Sequence, residues 1–182
     1  VVAVIRHRYD ERLKMDVLDV GERTYPVKVW HHCDEHGHSL RQAILEFENR
    51  WGLSITWGSM TYSDNHDHDE WRRRIGREPM HSEFIEEPHQ VEVGVFSPVP
   101  RIIKGMSRET VDFFNDRYPA ESEVREEMMK DRESDLACDP FGYLTDEGVN
   151  ELADYVMTLP SHPEDSDAVE AIGAVLEELR YG

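Results

Sequence analysis

Basic residues are scarce in this chain of 182 residues, and lysine is the scarcest of them. There are 20 Lys and Arg against 39 Asp and Glu, a formal net charge of -19, and the lysines are Lys14, Lys28, Lys104 and Lys130 alone. This shortage argues against nucleic acid as a partner, because phosphates are held by Lys and Arg that displace counterions. An anionic membrane surface is disfavoured on the same ground. A basic protein or an assembly partner is favoured. Acid-rich, lysine-poor composition also suits solubility in a salt-rich medium, a halophile-like pattern.

Cysteine is nearly absent. Cys33 and Cys138 cannot make a disulfide framework, and a reducing interior is expected. No run of 18 apolar residues occurs, so no helical membrane span is expected. The opening run of Val1, Val2, Ala3, Val4 and Ile5 is cut short by Arg6 and His7 and does not read as a signal peptide. The expected location is the cytoplasm, free or within an intracellularly assembled particle. Catalytic signatures are missing too. No triad spacing, Gly-rich phosphate loop or dinucleotide fingerprint is visible, so the chain does not read as an enzyme.

What is present is a change of pattern along the chain. Residues 1–104 alternate as strands do: Leu18 and Val20 around Asp19, Val27 and Val29 around Lys28, Ile55 and Trp57 around Thr56, and Val91, Val93 and Val95. Ser39 and Gln42 resemble a capping box, and Leu40, Ala43, Ile44, Phe47 and Trp51 follow at helical spacing. The spacing therefore predicts a helix over 40–51, packed on the sheet. Trp30, Trp51 and Trp57 fall where core aromatics belong, and Trp71 follows them. Residues 63–88 read as a long, His-rich loop with at most a short helix over 70–75.

Residues 105–182 read as helical. Ser107 caps one segment. Thr145 starts an amphipathic helix through Val149, Leu152, Ala153, Val156 and Met157. Asp165 or Ser166 caps the last, with Val169, Ile172, Val175, Leu176 and Leu179 expected inward. The expected fold class is α+β: a mostly antiparallel sheet packed on one main helix, followed by an acidic helical C-terminal region. The expected division is 1–104 as the α+β core and 105–182 as the acidic helical region.

Two constellations carry candidate chemistry. Four histidines and Cys33 fall within 31–38, and His66 and His68 lie in the long loop. Imidazole and thiolate are zinc's natural ligands, so Cys33, His36, His38, His66 and His68 form a candidate metal set. With an open coordination position, zinc would activate water for hydrolysis, with Glu35 or Asp64 as base. With a closed one it would be structural. The alternative is a polar turn needing no cofactor. Arg72, Arg73, Arg74 and Arg77 are the only basic run, and the preceding acids compensate them.

The second constellation is charge. Residues 105–182 hold 21 acids and 6 bases, against 18 and 14 in residues 1–104. A predicted helix over 122–136 has few apolar residues, and Glu121, Glu123, Glu126, Glu127 and Asp131 are its candidate partner-binding acids. The leading expectation is a non-enzymatic interaction protein, an assembly component or acidic inhibitor of a basic partner. The alternative is a metal-dependent hydrolase or structural zinc module.

Overall fold

The computed structural model describes residues 4–34, 39–66, 76, 84–98, 108–117, 136–160 and 166–181. Three strands, β1 (Ile5–Asp10), β2 (Met15–Val20) and β3 (Arg23–Pro26), form one sheet in that order. Five more, β4 (Val29–Cys33), β5 (Leu40–Glu46), β6 (Gly52–Gly58), β7 (Val91–Phe96) and β8 (Phe141–Leu144), form a second, also in chain order. Every pairing is antiparallel. The described helices are α1 (Arg108–Arg117), α2 (Asp146–Met157) and α3 (Ser166–Tyr181). The fold is α+β, with a main helix, α2, packed on the sheets.

Local chemistry sets the turns. Asp10 Oδ1 accepts the N–H groups of Arg12 at 2.9 Å and Leu13 at 3.0 Å, which folds the β1–β2 hairpin. Gly21 turns β2 into β3 at φ 60°, and a Cβ there would stand 2.5 Å from the Asp146 carboxylate. Glycine thus provides both the left-handed backbone and the close approach of α2. The chain then steps from one sheet to the other. Val27 N–H donates to Asp16 at 2.9 Å, extending the β3–β2 pairing, and Lys28 N–H donates to Ile44 at 2.8 Å, opening the β4–β5 pairing.

Register puts Trp30, Ala43, Ile55 and Val93 opposite one another across β4 to β7. That face meets Ile5, Leu18, Val20 and Tyr25 from the first sheet, and Val149, Leu152, Ala153 and Val156 of α2, in one core. Leu176 of α3 joins it, so residues on both sides of position 104 share this core. Trp51 and Trp57 are buried, as core aromatics should be, and Trp30 is half-buried, stacked on His7 at 3.7 Å.

The expected helix over 40–51 is instead strand β5 followed by a turn into β6. The physical reason is burial on both faces. Arg41, Gln42, Ala43, Ile44 and Leu45 are all buried, and a strand covered on both sides loses the alternation that marks half-buried strands. Gln42 does not cap; its Nε2 donates to Ser54 Oγ on β6 at 2.9 Å. Phe47 lies past the strand, half-buried and edge-on to Tyr25. Trp51 begins the return, its Nε1 donating to the Pro160 carbonyl at 2.8 Å.

The helix begun by Thr145 is present as α2, and the hydroxyl of Thr145 accepts the Gly148 N–H. The last helix, α3, spans Ser166–Tyr181, and Asp165, one of its two expected caps, lies outside the described residues. Its expected inward face is only partly inward: Leu176 is buried, whereas Val175 and Leu179 are exposed. Strand β8 between the helices was not expected. The expected helix over 70–75, residues 122–135 of the expected helix over 122–136, Trp71, and Arg72, Arg73, Arg74 and Arg77 lie outside the described residues, while Leu136, the last residue of that second helix, is instead bridged antiparallel to Phe96. No described helix is long and apolar enough to cross a membrane.

Candidate docking surface

Cys33 ends β4, the edge strand of the five-stranded sheet, and is exposed. His66 follows β6. The carbonyl of Thr61 can only accept, so His66 Nδ1 donates to it, at 2.9 Å. The His66 ring stacks on Tyr62 at 5.5 Å and meets Tyr143 edge-on at 6.5 Å. His36, His38 and His68 lie outside the described residues, as does Glu35. Among the described residues no group of three or more His, Cys, Asp or Glu is placed to hold a metal ion. Asp64 is engaged structurally: its Oδ2 accepts the N–H groups of His89 at 2.6 Å and Gln90 at 3.0 Å. The candidate acids Glu121, Glu123, Glu126, Glu127 and Asp131 also lie outside the described residues.

The buried Arg41 was not expected from the sequence, where it falls in the first turn of the expected helix over 40–51. Its side chain is 4% exposed, with Nη1 on Asp34 at 2.8 Å and Nη2 on Glu86 at 2.6 Å. The Phe84 ring lies 4.6 Å beneath the guanidinium carbon. Burial opposes the charge on Arg41, but Glu86 and Asp34 outweigh it and its pKa rises. The guanidinium in turn holds the Asp34 carboxyl well below the usual carboxylate range. This cluster clamps the end of β4 and residues 84–86 onto β5.

Other bases are likewise spent on the chain's own acids. Arg6 and Arg8 grip Asp19, Lys14 meets Glu11, Lys28 meets Glu46, and Arg23 holds Asp154 with Nη1 at 2.6 Å. The contrast with α2 is sharp. Its twelve residues include Asp146, Glu147, Glu151 and Asp154 and no Lys or Arg. Asp146 and Glu147 suit the positive end of the helix dipole. Glu147 and Glu151 are exposed one turn apart, and like charges at that spacing repel.

Beside these acids lies an apolar groove of about 260 Å3. Its walls are Phe141 and Leu144 of β8, Leu152 and Tyr155 of α2, and Leu179 of α3, with Glu151 also in the lining. Gly148 leaves it room, since a Cβ there would approach Leu144 to 3.2 Å. Leu179 is 53% exposed, so the groove opens to solvent along α3.

Strand β8 shapes this region through a bulge. Val91 pairs with Leu144 but Val93 pairs with Phe141, so β8 carries one extra residue. Tyr143 takes the strain at φ 54°, its N–H donating to the Tyr62 carbonyl at 2.7 Å. The bulge sets Tyr143 against Tyr62 at 6.1 Å, and both rings are about half exposed, with Met60 more so. The helix that carries these acids was readable from periodicity, but the acids expected to dock were Glu121, Glu123, Glu126, Glu127 and Asp131. The groove was not readable, because one wall is a strand too short and irregular to alternate. No family model, curated protein or solved structure matches the chain.

Proposed function

We propose that the protein is a non-enzymatic interaction protein that docks a basic protein partner through the acidic face of its C-terminal part. The supporting observation is the placement of charge. The described ion pairs use Arg6, Arg8, Lys14, Arg23, Lys28 and Arg41 internally, while α2 exposes Glu147 and Glu151 without a base of its own. With 39 acids and 20 bases, pairing within the chain leaves a negative surplus wherever the remaining residues lie. Such a field speeds encounter with a basic surface and repels wrong partners of the same sign. An assembly component and an acidic inhibitor both fit this reading. Neither cysteine is in a disulfide, which suits a reducing cytoplasm.

The test compares the wild type with Glu147→Lys/Glu151→Lys, each immobilised and exposed to extract of the native host at low salt. The wild type should retain a basic protein that the double reversal loses, with both proteins folded by circular dichroism. Equal retention by the two proteins would remove α2 from the docking face.

A further inference from the structure

We propose that the groove between β8, α2 and α3 seats an amphipathic basic segment of that partner, one bulky apolar side chain filling the groove and a neighbouring Lys or Arg meeting Glu151 and Glu147. This rests on the acidic-docking reading and adds what the charge alone does not specify, the shape and chemistry of the partner's contact.

Three observations carry it. The first is size. At about 260 Å3 the groove falls below the ~300–1,000 Å3 typical of small-molecule pockets. It is open along Leu179, so it suits an inserted side chain better than an enclosed ligand. The second is lining. Phe141, Leu144, Leu152 and Leu179 offer no charge, so a purely electrostatic partner would leave this surface wet and unused. Apolar anchors in such pockets dominate binding energy at interfaces. The third is complementarity. Glu151 belongs to the lining itself, and Glu147 stands one turn before it on the same helix. A cation between them would relieve their mutual repulsion. An apolar anchor next to a cation, repeated at helical spacing, is the pattern of an amphipathic segment laid into a groove.

The experiment uses the full chain and two labelled synthetic peptides of about four helical turns. Both consist of Leu, Ala, Lys and Arg in equal numbers. One has its leucines at helical spacing and the other is its scrambled isomer. Fluorescence anisotropy is measured at about 0.05 M salt, where screening is modest. The amphipathic peptide should bind the wild type at least about ten-fold tighter than the isomer. Leu179→Ser should weaken it about ten-fold, the loss expected of an anchor contact. Leu13→Ser, which removes a leucine exposed on the β1–β2 turn, should change nothing. Glu151→Gln should weaken the amphipathic peptide and flatten its salt dependence. If the two peptides bind alike, or Leu179→Ser binds like the wild type, the groove is not the seat and only the acidic docking remains. If neither peptide binds, both readings fall.

Discussion

Asp19 shows how single residues tie this fold together. Its carboxylate accepts from Arg8 Nε at 2.7 Å, Arg6 Nη2 at 3.1 Å and Thr24 Oγ1 at 2.8 Å. Arg8 chiefly lowers its pKa, to about 2, against the cost of burial. A carboxylate whose pKa is depressed in the folded state stabilises above its ordinary value and loses that contribution as pH falls through the folded value. Asp19→Asn should therefore cost about 1–3 kcal/mol at neutral pH. The gap from wild type should close as pH falls from about 4, the ordinary value, towards about 2. Urea denaturation across that range checks it, and a gap independent of pH would show that the loss is not one of charge. The sequence revealed that Asp19 points away from Leu18 and Val20. It did not reveal its partners, because the register bringing Arg6 and Arg8 alongside is a property of the pairing and not of the local pattern.

Among the elements, β5 and α2 mark the two ends of legibility. Both α2's cap and its apolar stripe are local, so its start at Thr145 and the burial of Val149, Leu152, Ala153 and Val156 could be read from spacing alone, although Met157, expected on the same stripe, is exposed. Strand β5 carries the same kind of spacing, yet pairing with β4 and β6 overrides it. Leu45 separates the two accounts. It falls off the apolar stripe of a helix over 40–51, which would leave it on the surface, whereas in β5 it is 1% exposed. Leu45→Ala should accordingly cost about 2–5 kcal/mol, read from the shift in a denaturation midpoint. A loss under about 0.5 kcal/mol would be the behaviour of a surface position. Strand β8 stayed hidden for a different reason: it has four residues, one of them an extra at a bulge, so no period can be established over its length.

At the scale of the molecule, charge is the property most fully visible in the sequence, and its geometry the least. The surplus of acids in residues 105–182 is a matter of composition. That α2 shows its acids next to an apolar groove depends on β8 and α3 closing around it. The expected zinc set illustrates the same limit: Cys33 ends an edge strand and His66 is held by Thr61 and Tyr62, neither of which spacing along the chain could show. The most direct measurement of the central claim is the association rate of the basic partner retained by the wild type, followed from about 0.01 M to about 1 M salt, over which the Debye length shrinks from ~30 Å to ~3 Å. The rate should be fast at low salt and fall steeply as salt rises, and it should be slow and nearly salt-independent for Glu147→Lys/Glu151→Lys. Equal rates for the two proteins at every salt concentration would contradict that claim.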